Sequence, residues 1–444
     1  MSGSESTTPG KHAVVSRMKN KLIRLAGLVG WGALAILIVG AILETGARLR
    51  FGRPLPDVLP DRETLFRYPA NGISYYWFAD GPQGRRRPMP FRTNALGLRD
   101  DPVAPKIPGE FRILMLGDSF TAGMAIERME DTIPRQLQAM LRQRLGTSAI
   151  TVMNGGLGNS APYQQYALLR RISSAIQPDL VILQLYLSND LSDTLSRMDL
   201  HLRAYNPRNF IRRVSFARVA SGPGGDAYMV LATQSAAWCH LASLLDMDVP
   251  EMYARVMCWV PYSGVRPLPP VPPTPHRFWA LEANLKAWYP LLELAYNTLA
   301  ADVANIHEYC ADHQIRVAGF AIPCVYSVDP DRWNQDLPED IRREREPGKD
   351  AIMGDRLLER RGIPHISLYH AISGRGNGGK LYHYYDMHLN EEGARFTADV
   401  LADFLTGEVL RDAGMTPESP PRPGNASAQE GGTGHDGKGP AGEI

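Results

Sequence analysis

The stretch Phe111-Arg112-Ile113-Leu114-Met115-Leu116 is a near-continuous apolar run that stops abruptly at Gly117-Asp118-Ser119-Phe120. No other junction constrains the chain as tightly. A run of this kind predicts a strand buried on both faces, which is the habit of parallel sheets. Gly117 lets the backbone turn sharply as it leaves the sheet. Ser119 then falls where the next helical segment begins, near free backbone N–H groups and the positive end of a helix dipole. Both favour developing negative charge, so Ser119 is a candidate nucleophile.

A regular alternation follows. Ile133, Leu137, Met140, Leu141 and Leu145 recur at helical spacing, with Asp131 and Thr132 as cap candidates and Pro134 in the first turn. Ala149–Met153 predicts a second strand, Tyr166–Ile176 a helix and Leu180–Leu187 a third strand. Strand, helix and strand with short links mean right-handed crossovers and an α/β fold: a three-layer, doubly wound parallel sheet. From about residue 195 to 275 the rhythm breaks, ending in six prolines between Pro267 and Pro275. This reads as an insertion, a cap over the site. The alternation resumes with a helix over Phe278–His313, a strand over Arg316–Ile322, a helix over Asp350–Arg361, a short strand near Ile363–Leu368 and a last helix over Glu391–Leu405. The domain therefore spans 110–412, and 413–444, poor in apolar residues, reads as a disordered tail.

Leu25 to Leu43 is uncharged and nineteen residues long, enough to cross a bilayer. Lys11, Arg17, Lys19, Lys21 and Arg24 precede it. Arg48, Arg50 and Arg53 follow, diluted by Glu44. The charge bias predicts a cytoplasmic tail over 1–20, one transmembrane helix over 21–45 and an extracytoplasmic remainder. A cleaved signal peptide is the competing reading, disfavoured by the length of the run and the lack of a clear small-x-small site. Residues 46–109, rich in Pro, Gly, Arg and aromatics such as Tyr75-Tyr76-Trp77-Phe78, read as a stem or small extension. A net charge of +1 and the lack of a basic, aromatic-interleaved patch exclude a nucleic-acid partner. Cys239 with Cys258, and Cys310 with Cys324, are candidate disulfides, with free buried thiols as the other reading. No cofactor and no metal site are expected, since no His-Glu-x-x-His or zinc spacing occurs.

Functional groups in open parallel sheets collect beyond the carboxyl ends of the strands. Three strand ends carry suggestive peptides: Gly117-Asp118-Ser119, Asn154-Gly155-Gly156-Leu157-Gly158-Asn159 and Ser188-Asn189-Asp190. A glycine loop brings a backbone N–H to a substrate oxygen, and an asparagine adds a side-chain N–H. With the serine N–H these make an oxyanion hole, where one lost donor costs roughly 3–4 kcal/mol. The base is expected to be His388, just before the last helix, with Asp386 two residues upstream to fix its tautomer. His365, His370 and His383 lack such a companion.

The order Gly-Asp-Ser-Phe, glycine loop, Asn-Asp and Asp-x-His-x-Asn resembles the SGNH (GDSL-type) hydrolase superfamily over about Arg112–Leu405. Phe91–Asp100, between anchor and Ser motif, is similar to membrane-anchored bacterial members. The resemblance implies Ser119 as nucleophile and N–H donor, Gly158 as backbone donor, Asn189 as side-chain donor, His388 as base and Asp386 as its orienter. Gly156 competes with Gly158, which is preferred because Asn159-Ser160-Ala161-Pro162 follows it. Ser188 departs from the family's usual glycine before the asparagine. The implied activity is hydrolysis of a small-molecule or glycan ester at the outer face of a bacterial inner membrane, on O-acylated envelope or exported polysaccharide. The alternatives are an O-acyltransferase with the same triad and a catalytically silent polysaccharide-binding scaffold. No Gly-x-Ser-x-Gly elbow and no Gly-Lys-Ser/Thr loop occur.

Overall fold

The structure, a computed structural model, describes residues 10–51, 58–61, 63–79, 86–197 and 281–411, together with 235 and 237. The expected insertion, its Cys239–Cys258 pair and the C-terminal tail lie outside these residues, apart from 195–197, 235 and 237.

Helix α1, Gly10–Phe51, contains the apolar run. Within its span Lys21–Leu49, an eighteen-residue window has a mean hydropathy of 2.3 and none of that window is buried against the rest of the chain, so the helix is long and apolar enough to cross a membrane.

Two small antiparallel pairs come next: β1 (Leu59–Asp61) with β2 (Leu65–Arg67), and β3 (Ile73–Ala79) with β4 (Arg86–Arg92). The main sheet is built from β5 (Phe111–Gly117), β6 (Ile150–Gly156), β7 (Leu180–Leu185), β8 (Arg316–Ala321) and β9 (His365–Ser367), all parallel, in the order β6-β5-β7-β8-β9. That order is doubly wound, with its switch point beside β5. Between β5 and β6 run the four-residue helix α2 (Ser119–Ala122) and α3 (Ile133–Leu145); then α4 (Pro162–Ile176), α5 (Leu187–Arg197), α6 (Pro290–Asp312), α7 (Lys349–Arg360) and α8 (Glu391–Phe404) follow in chain order.

Alternation along β5 divides the core. Ile113 and Met115 point to the layer of α3 and α8, Leu114 and Leu116 to the layer of α4, α5, α6 and α7, and all four are fully buried. Continuous apolar character in the strand thus reflects a helix layer on each face. The same division forbids one expected disulfide. Cys310 packs in the α4–α7 layer and Cys324 in the α3–α8 layer, on opposite sides of the sheet, and both are free buried thiols. The helix expected over Phe278–His313 begins instead at Pro290. Residues 281–284 form a short 3-10 helix and Leu285 bridges to Arg345, and the α-helix starts at Pro290 because a proline without an N–H fits the first helical turn and not the interior.

The segment expected as a stem packs onto the catalytic domain. Val58, Phe66, Tyr68 and Phe91 share a buried cluster with Ala122, Met124 and Leu157, and Phe78 and Met89 close on Ala125. Buried Arg99 donates to the carbonyl oxygens of Ala122, Gly123, Ile126 and Glu127. Asp100 accepts from the Asn154 N–H at 2.7 Å. The loops after β5 and β6 are therefore braced by residues that precede the domain in sequence.

Candidate active site

Gly117 ends β5 in ordinary extended backbone; what it lacks is room. A Cβ there would lie 2.3 Å from both Gln184 Oε1 and Thr121 Oγ1. Gln184, on β7, accepts from the Asp118 N–H and from Thr121 Oγ, each at 3.0 Å, and so pins the turn that presents Ser119. Asp118 caps α2 by accepting from the Phe120 N–H at 3.0 Å, and Gly123 closes that helix in the left-handed region. The carboxyl of Asp118 is completely buried, and burial raises it to about 6 against the opposing pull of the Phe120 N–H, His388 and Asn189.

From the other end of the chain, the loop before α8 brings in His388. Its fold is dictated locally: the His383 N–H donates to the His388 carbonyl at 2.8 Å, and Asn390 caps α8 by accepting from the Gly393 N–H at 2.9 Å. Met387, between Asp386 and His388, sits at φ +66°, a left-handed conformation that costs a non-glycine residue energy. That turn lets two residues flanking one position meet edge to edge. Asp386 Oδ1 lies 2.6 Å from His388 Nδ1, and His388 Nε2 lies 2.8 Å from Ser119 Oγ. Because a carboxylate can only accept, Nδ1 carries the proton and Nε2 is left to accept from the serine hydroxyl. Burial pulls the His388 pKa down, but the bond and charge of Asp386 and the charge of Asp118 outweigh it and hold the imidazole above its ordinary value. The Phe120 ring lies 5.0 Å from the imidazole.

Asn189 and Gly158 are at the same strand ends. Asn189, in the first turn of α5, donates from Nδ2 to Asp118 Oδ2 at 3.2 Å, which aims its amide from the β5 turn. Ser188 has its hydroxyl turned away, toward the buried Asp350 at 3.2 Å, so the departure from glycine leaves the site side unobstructed by this contact. The Gly156 N–H is used by Asn154 Oδ1 at 2.9 Å, and a Cβ at Gly156 would meet the Ala122 nitrogen at 2.1 Å. The Gly158 N–H donates to Tyr68 Oη at 2.7 Å. His383 lies beside the site, whereas His365 and His370 lie elsewhere, hydrogen-bonded to Ile363 and Ser367.

Two residues at this site escaped the sequence. Tyr68 holds Gly158, and Tyr76 on β3 reaches Asp386 and His388. Only the aromatic run Tyr75–Phe78 marked the second. Among the described residues no group of three or more His, Cys, Asp or Glu side chains is placed to hold a metal ion.

No family model matches the chain, and no curated protein matches it. Solved structures do. They include a two-domain esterase active on acetylated mannans (12% identity, TM-score 0.32, 70% of this chain and 52% of the other). A lipase/acylhydrolase from Enterococcus faecalis is another (11%, TM-score 0.35, 70% and 100%), and a GDSL-like lipase from Bacteroides thetaiotaomicron a third (11%, TM-score 0.32, 70% and 92%). The chain spans about half the length of the two-domain esterase. At these overlaps the fold rests on the strand order and layers given above. In sheet topology, in the order of its motif blocks and in the side chains brought together at the strand ends, the chain resembles the SGNH (GDSL-type) hydrolase superfamily.

Proposed function

We propose that the protein is a membrane-anchored serine ester hydrolase of SGNH type that works through an acyl-enzyme. The observation that carries this reading is the unbroken hydrogen-bond chain from Ser119 Oγ through His388 to Asp386. His388 Nε2 takes the serine proton as Oγ bonds to the ester carbonyl carbon and the carbonyl electron pair moves onto oxygen. The Ser119 N–H, Asn189 Nδ2 and the Gly158 N–H are the donors to that oxygen. His388 then returns the proton to the departing alcohol oxygen as the ester C–O bond breaks. Water repeats the sequence in the second half: His388 takes its proton, the hydroxyl adds to the acyl carbon, and Oγ leaves and is reprotonated. For Gly158 to serve, the Tyr68 hydroxyl must yield its place on that N–H.

O-acylated envelope or exported polysaccharide is the substrate class this reading favours. The apolar helix α1 supports an anchor, and the basic residues before it support a cytoplasmic N-terminus with the catalytic domain outside the inner membrane. The test is hydrolysis of p-nitrophenyl acetate and acetate release from O-acetylated glycans by the full chain in detergent. Turnover that vanishes in Ser119→Ala is expected. Undiminished turnover in that variant would overturn the reading.

A further inference from the structure

Tyr76 stands 310 residues before Asp386, yet its hydroxyl donates to Asp386 Oδ2 at 2.8 Å and lies 3.2 Å from His388 Nδ1. Its ring meets the imidazole edge-on, with centroids 5.5 Å apart and planes at 80°. Asp386 Oδ1 is already engaged by His388, so Tyr76 takes the second carboxylate oxygen. The terminal torsion of a carboxylate is broad, and bonds to different oxygens narrow it. Two bonds, one to each oxygen, hold its plane. We infer that Tyr76 is a positioning residue of the active site, orienting Asp386 and through it the tautomer and ring of His388.

This goes beyond the Ser–His–Asp chain and rests on that reading. It gives the segment between anchor and domain a share in the catalytic centre. β3 is held over the site by its own packing: Phe78, two residues on and on the same face, buries against Met89 and Ala125 and meets the His383 ring edge-on at 4.9 Å. Ala125 follows Ser119 by six residues, in the turn that closes α2, so hairpin and nucleophile loop are fixed to each other. A packing role for Tyr76 would need the ring alone, and a positioning role needs the hydroxyl.

Tyr76→Phe in the full chain separates these. With kcat normalised to sites titrated by a fluorophosphonate, so that misfolded protein does not count, kcat on p-nitrophenyl acetate is expected to fall about tenfold, with KM unchanged. That is the effect of losing a hydrogen bond to a charged group. In an Asp386→Asn background the same substitution is expected to cost less than about twofold, because the hydroxyl acts through that carboxylate. The proton on His388 Nδ1, read by NMR in the resting protein, is expected to shift in Tyr76→Phe. This readout needs no substrate, so it decides the contact even if the wild-type chain hydrolyses no ester. Wild-type kcat with an unmoved Nδ1 proton would overturn the proposal, as would a tenfold loss that persists undiminished in the Asp386→Asn background.

Discussion

Two regions of very different build meet at Ser119. The loops after β5, β6 and β7 spring from strands whose apolar side chains are sealed between two helix layers, with Ile113, Leu114, Met115 and Leu116 all at zero exposure. The segment over 58–109 is built of short hairpins and two small apolar clusters, and it is tied down largely by polar contacts, among them the Arg99 guanidinium, the Asp100 carboxylate on Asn154 and the Lys106–Asp179 and Asp61–Arg171 ion pairs. The first region carries the nucleophile and Asn189, joined by the His388 loop. The second contributes two tyrosine hydroxyls, Tyr68 to Gly158 and Tyr76 to Asp386. The lesson is a division of labour: the groups that make and break bonds stand at the ends of the sheet strands or on the loop that leads into α8, and the contacts that tune them come from the less deeply packed hairpins, where local opening costs less.

If that division is right, substitutions in the first region should cost far more than those in the second. Ser119→Ala and His388→Ala are each expected to lower kcat by ~10⁴-fold or more, and the double variant to be scarcely worse than either, because the residues act as a unit. Stopped assays on p-nitrophenyl acetate with all three proteins check this; multiplying losses would break the unit apart. Asn189→Ala follows, with a loss on the order of 10²–10³-fold in kcat and little change in KM, the signature of a donor used in the transition state. A KM effect of that size instead would make Asn189 a ground-state binder.

The pH profile sharpens the comparison at smaller scale. His388 must be neutral to accept the serine proton, and it is held above its ordinary value of 6.5 chiefly by Asp386, against the downward pull of burial. The acid limb of kcat/KM is therefore expected above pH 6.5, with activity rising as pH rises through it. Asp386→Asn should move that limb to lower pH, since it removes the group that favours the imidazolium. A limb unmoved in that variant would assign it to another group.

The smallest effect is expected at Tyr68. Tyr68→Phe removes the hydroxyl that occupies the Gly158 N–H and is expected to raise kcat a few-fold. A hundredfold loss would reverse the picture, making the phenol the oxyanion donor and placing chemistry on the hairpin side.

Much of the sheet and its motif blocks could be read from the chain because the signals are local. A strand buried on both faces looks apolar throughout, and Ser119, Asn189 and His388 sit at strand or helix ends whose punctuation is visible. Asp386 is two residues from its partner. Tyr68 and Tyr76 are different: each works across 90 or more positions, and nothing in Tyr75-Tyr76-Trp77-Phe78 says which ring faces a carboxylate. The role of Gly117 was half legible, its turn being evident but the crowding by Gln184 and Thr121 from β7 and α2 being a tertiary fact. Cys310 and Cys324 look like partners in a list and prove to lie on opposite faces of the sheet, because spacing carries no information about which layer a helix joins.

Mass spectrometry of the full chain after brief exposure to a fluorophosphonate addresses the central claim most directly. The chain from Asp386 through His388 to Ser119 predicts a single adduct on the Ser119 peptide, slowed by orders of magnitude in His388→Ala. An adduct on another serine, or labelling of Ser119 at the wild-type rate in His388→Ala, would contradict it.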